Sequence, residues 1–137
     1  MAPGIRSWAW GKLPEYNGFT HEERVRGWQA LHWLMDQGRL ARPVICCISG
    51  LRHRVGYHSE NYYDWHPKPL AQQIHFALHQ RFRRPHAWQR IVAAYSVSGD
   101  EWFAQLSTVP IDLASQLLAA HGPQVADLFA RLGIPEP

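Results

Sequence analysis

His58, His75 and His79 are the side chains of this 137-residue chain whose types and spacing could do chemistry together. His79 lies four residues after His75, so on a helix both imidazoles project from one face and can reach one cation or one phosphate. A neutral imidazole can take a proton from water near neutral pH or give its lone pair to a metal. Each histidine alone has a plainer use, bonding to backbone or packing on one of the seven tryptophans. Taken together, beside a run of arginines, the three favour a metal or phosphate site. Cys46 and Cys47 are adjacent and are the only cysteines. They are a poor basis for a structural disulfide, and an awkward pair of ligands for one tetrahedral ion even with His53 beside them.

The formal charge of +3 is unevenly spread. Residues 39–90 carry nine basic and two acidic side chains, against four of each before them and one and five after them. Arg52, Arg54, Lys68, Arg81, Arg83 and Arg84 are the candidate phosphate contacts of this basic island. Forked guanidinium groups suit phosphate, and such contacts give salt-dependent binding with little sequence preference. Tyr62, Tyr63 and Trp65 could stack on exposed bases or belong to the core. The plainer reading of the charge is a solvated surface.

These residues must be positioned by a mixed, mostly helical chain. Thr20 followed by Glu23 is a capping-box signature, Val25, Trp28, Leu31 and Met35 recur at helical spacing, and Gly38 sits where a glycine cap belongs. The pattern predicts a helix over about 21–37. Val44–Ile48 and the segment around Arg52–His58, joined by a turn at Ser49-Gly50, read as a β-hairpin. From Pro69 the spacing of Leu70, Ile74, Leu78 and Phe82 predicts a helix up to Pro85. Three more helices follow near 86–95, 100–106 and 111–132, the last broken at Gly122-Pro123. Leu113, Leu117, Leu118, Val125, Leu128, Phe129 and Leu132 form its apolar stripe, read as core. The expectation is one α+β domain over 1–137, with an N-terminal helix (1–40), a hairpin-and-helix core (41–84) and a helical extension (85–137). Seven tryptophans predict an ordered, aromatic-rich interior. No window approaches the roughly 18 apolar residues of a membrane span, and the opening residues lack a secretory pattern, so the expected location is cytoplasmic.

The order of hairpin then helix, with His58 on the second strand and His75-x-x-Leu78-His79-x-Arg81-Phe82 on the helix, resembles the HNH, or His-Me finger, endonucleases over about 45 residues. Cys46-x-x-Ser49-Gly50 looks like the first zinc knuckle of that family with its second cysteine replaced. Leu70-Ala71-x-x-Ile74-His75 looks like the second with both replaced, so the structural zinc is expected to be lost. The resemblance implies that His58 is the general base and that His75 with His79 holds Mg²⁺ or another divalent ion; the asparagine that orients the base in that family would fall near His66 by spacing, and Asn61 is the nearest actual asparagine. Tyr57 stands where active members carry Asp, Glu or His. Tyrosine is a weak ligand for Mg²⁺, so Glu60 or Asp64 is the expected substitute. The implied activity is metal-dependent cleavage of nucleic acid, DNA first, in a mobile element or a bacterial or phage defence system. A non-catalytic scaffold or inhibitor that docks a protein through its basic, aromatic face stays open beside it.

Overall fold

The computed structural model describes residues 4–136 and is α+β. In chain order the elements are α1 (His21–Asp36), β1 (Val55–His58), β2 (Lys68–Ala71), α2 (Gln72–His79), α3 (Pro85–Tyr95), a 3₁₀ turn (Trp102–Gln105), α4 (Leu113–His121), a second 3₁₀ turn (Pro123–Ala126) and α5 (Leu128–Leu132). They gather into two compact units. One takes residues 4–42, 59–67 and 112–136, the other 43–58 and 68–111.

In the first unit the ends of α1 form as their sequence dictates. Glu23 N–H donates to Thr20 Oγ1 (3.2 Å) and Thr20 N–H to Glu23 Oε1 (3.1 Å), which closes the capping box. At the other end Gly38 takes φ +75°, so its N–H reaches Met35 O (3.0 Å) while Arg39 N–H reaches Leu34 O (2.9 Å). That pair of bonds is a Schellman cap. The buried face of α1 differs from the expected stripe. Arg24, Gly27, Ala30, Leu31 and Leu34 are buried, whereas Val25, Trp28 and Met35 are half-buried. The rotation follows from Gly27, where a Cβ would stand 2.8 Å from Tyr62 Cδ1, and from Arg24. The Arg24 guanidinium lies against the Tyr16 and Tyr62 rings and donates to Pro14 O (2.7 Å) and Tyr62 Oη (3.2 Å). Ala30 and Leu34 close on Leu128, Phe129, Leu132 and Ile134. Phe19, Tyr63 and Ala114 form a second cluster with Leu113, Leu117 and Val125 packed against it. The C-terminal stripe is therefore core apart from Leu118, which is exposed.

Asp36 ends α1 in a fork from Arg6, whose Nε and Nη2 donate at 2.9 and 2.6 Å, with Arg42 Nη2 at 3.0 Å. The Arg6 hydrogen bonds outweigh desolvation and, with Arg42, hold the Asp36 carboxyl down at about 2. A folded-state pKa below the unfolded value near 3.9 contributes stability that is present above about pH 4 and is lost as the pH falls toward about 2. Urea midpoints measured at about pH 5 and about pH 2 should therefore fall further in the native chain than in Asp36→Asn. An equal fall in both would remove Asp36 from the acid response.

In the second unit β1 and β2 pair antiparallel in the register Val55↔Ala71, Gly56↔Leu70, Tyr57↔Pro69 and His58↔Lys68. This hairpin corrects the expected one, since Val44–Ile48 is no strand. Gly50, at φ +75°, donates to Cys46 O (2.9 Å), and Cys46 N–H donates to Leu51 O (2.8 Å), so the segment curls into a tight turn. Val44 and Ile45 are 55% and 44% exposed and offer no apolar face to bury in a sheet. Their place is taken by Lys68–Ala71, where Leu70 and Ala71 are buried. The expected helix start at Pro69 moves to Gln72, whose N–H is held by Arg54 O (3.0 Å). Ile74 and Leu78 bury the inner face of α2, and α3 begins at Pro85, where the missing N–H costs nothing. Of the tryptophans, Trp88 is fully buried on α3, while Trp10 is largely exposed beside Trp8 and Trp28.

Candidate metal centre

His58 is the last residue of β1, and α2 follows β2 without a loop, so the chain brings His75 and His79 back over the hairpin end. His58 Nδ1 lies 3.1 Å from His75 Nε2, and His79 Nε2 lies 3.1 Å from the same His75 nitrogen. The ring centroids are 4.8 to 5.0 Å apart. His58 is 1% exposed, and His75 and His79 are half-buried. One ligand atom from each ring falls within 4.8 Å of the others, an arrangement that could hold a metal ion.

The spacing can be tested against coordination geometry. Metal–nitrogen bonds of about 2.0–2.1 Å put two nitrogens about 3.3 Å apart at a tetrahedral angle and about 2.9 Å apart at a right angle. The observed 3.1 Å falls between these limits. His75 Nε2 carries either one proton or one lone pair, so it makes one well-aligned hydrogen bond to its two neighbours and not two, whereas a cation accepts one lone pair from each of three imidazoles. Two of the three spacings therefore suit a divalent ion, and the third pair of ligand atoms lies within 4.8 Å.

No protein-family model, curated protein or solved structure matches the chain.

The structure groups the expected site residues differently from the expectation. His58, expected as a base apart from the metal, offers its Nδ1 to the same point as His75 and His79. Asn61, Glu60 and Asp64 lie on the 59–67 segment of the first unit and have local work there. Asn61 Oδ1 accepts from Tyr63 N–H (2.8 Å), the Glu60 carboxylate takes Tyr16 Oη and Asn17 Nδ2, and Asp64 Oδ1 accepts from Trp65 N–H (2.7 Å) and bonds His66 Nδ1 (2.8 Å). Burial holds the Tyr57 phenol above its usual pKa, which works against its use as an ionised ligand.

Cys46 is buried in its turn with Ser49 N–H on its sulfur (3.4 Å), and Cys47 is exposed. Burial pushes the Cys46 thiol up, but donors from Ser49, Ala71 and Ile48 outweigh it and bring the pKa below the ordinary value. Neither sulfur belongs to the converging group.

Among the candidate phosphate contacts, Arg52, Arg54, Arg83 and Arg84 are exposed. Arg54 Nη1 donates to Gln72 Oε1 (3.2 Å). Arg81 is a correction. It is 1% exposed, its Nε donates to Ser107 O (2.7 Å), its Nη1 to Leu78 O (3.0 Å), and its guanidinium lies over the Phe82 ring. It ties the end of α2 to the segment after the first 3₁₀ turn and is turned away from solvent phosphates.

Sequence reasoning missed Trp102. Its indole lies nearly parallel to the His58 ring, with 18° between the planes and 6.5 Å between centroids. Glu101 fixes the start of that 3₁₀ turn by accepting from the N–H groups of Val97, Ser98 and Gly99 and from Ser96 Oγ, all within 2.9 Å. Those bonds, Ser98 N–H foremost, hold its carboxyl well below the usual range. The 43 residues between His58 and Trp102 leave no local spacing to read.

Proposed function

We propose that the chain is a metalloprotein that acts on nucleic acid, with His58, His75 and His79 holding one late first-row divalent ion of the Zn²⁺ kind. The observation that carries this is the convergence of three imidazole nitrogens in a unit that is itself cationic. That unit, 43–58 with 68–111, has seven Arg and Lys against Asp100 and Glu101, whereas the remaining residues have more acids than bases. The donor set decides against Mg²⁺, which takes hard oxygens and keeps its waters, and suits ions that prefer imidazole. When bound, such an ion supplies Lewis-acid activation of water or of a phosphoryl oxygen.

The chain's own groups do the rest. Arg52, Arg54, Arg83 and Arg84 stand exposed to hold backbone phosphates without reading bases. His58 is 1% exposed, with the Trp102 indole nearly parallel to it, so bulk water is kept from one side of the site. Of Zn²⁺, Mn²⁺ and Mg²⁺ incubated with plasmid and single-stranded DNA, Zn²⁺ should give nicking that EDTA and His75→Ala both abolish, and Mg²⁺ should give little. A second reading, metal-stabilised binding without cleavage, is favoured by the local engagement of Glu60, Asp64 and Asn61. DNA retention that weakens steeply with salt, without nicking under any of the three ions, would select it.

A further inference from the structure

We propose that Lys68 forms an anion subsite beside the three histidines, so that the ligand of the centre is a phosphate-type anion touching both the bound ion and the Lys68 ammonium. The inference deepens the metal reading above and rests on it. Lys68 is the direct cross-strand partner of His58, and directly opposed residues of an antiparallel pair project from the same face with Cβ atoms about 5 Å apart. Its Nζ lies 5.5 Å from the centroid of the Trp102 ring, the ring that runs alongside His58. Lys68, Trp102 and His58 thus stand around one corner of the hairpin end.

No carboxylate pairs with Lys68 among the described residues. The unit's two acids are Asp100 and Glu101, and the Glu101 carboxylate is taken up by the 96–99 loop. An ammonium and a divalent ion at one corner of the hairpin end repel each other. An anion that contacts both turns that repulsion into two attractions. A tetrahedral phosphate oxyanion has oxygens enough to do so, and a neutral substrate gains nothing from the arrangement.

The test uses the full chain with Co²⁺ alone, followed by visible absorption, and then with inorganic phosphate as the anion, in the native protein, Lys68→Gln and Lys68→Arg. Phosphate should tighten Co²⁺ binding in the native chain. Lys68→Gln should bind phosphate about tenfold more weakly, the equivalent of one charge-assisted hydrogen bond, and should bind Co²⁺ somewhat more tightly when phosphate is absent. Lys68→Arg keeps the charge and should stay within about threefold of the native phosphate affinity. Cobalt uptake with equal phosphate affinity in all three proteins would overturn the subsite alone. No cobalt uptake by the native chain would overturn the metal reading and the subsite with it.

Discussion

In His75→Ala the affinity for Zn²⁺ is expected to fall by at least about 100-fold, beyond the 10–100-fold that loss of an outer-shell partner costs a metal site. His75 is the ring common to both short contacts, its Nε2 standing 3.1 Å from His58 Nδ1 and 3.1 Å from His79 Nε2. Its removal leaves His58 and His79 without the nitrogen that lies near both. The same loss should appear in stability. An ion that binds the native state alone stabilises it by about 4 kcal/mol at a thousandfold excess over Kd. The rise in Tm on adding Zn²⁺ to the native chain should therefore shrink to about a third or less in His75→Ala, while the metal-free melting curves of the two stay close because His75 is only half-buried. Thermal melts with Zn²⁺ and with EDTA make the comparison, and an undiminished Zn²⁺ shift in His75→Ala would remove this ring from the site.

Arg81→Ala is expected to damage the fold of the second unit by about 2–4 kcal/mol. The guanidinium is 1% exposed and donates to Ser107 O and Leu78 O. Alanine leaves Ser107 O without its Arg81 donor, while Leu78 O keeps the backbone N–H groups of Gln80 and residue 81, and it opens a void beside Phe82. Arg83→Ala, two residues on and exposed, should change stability by no more than about 0.5 kcal/mol. Arg81→Met, which restores the apolar stem but no donor, separates packing from hydrogen bonding. Urea unfolding of the three variants measures the differences, and a cost below about 1 kcal/mol for Arg81→Ala would show that the buried fork is replaceable.

Arg81 also shows where sequence reading stopped. As one of three arginines after α2 it reads as a phosphate contact, because charge composition does not distinguish a guanidinium in solvent from one aimed at a carbonyl 26 residues away. The local signals were legible. The Thr20–Glu23 box, Gly38 past α1 and Pro85 at the start of α3 each act over a few residues, and each is realised. The i, i+4 spacing of His75 and His79 likewise placed two rings on one face. The strand pairing was not legible. Val44–Ile48 has the β-branched and apolar composition of a strand, yet the ladder forms at Lys68–Ala71, which includes a proline opposite Tyr57. Burial of Leu70 and Ala71 and the tight Cys46–Gly50 turn decided the register over intrinsic preference. That shift is what sets Lys68 opposite His58, a neighbour that no spacing in the sequence announces.

X-ray absorption at the zinc edge of the Zn²⁺-loaded protein tests the central claim most directly. Three imidazole nitrogens at about 2.0–2.1 Å, with the outer-shell scattering of histidine rings, is the result expected from His58, His75 and His79. A sulfur shell at about 2.3 Å would place the ion on Cys46 or Cys47 instead and contradict the histidine centre.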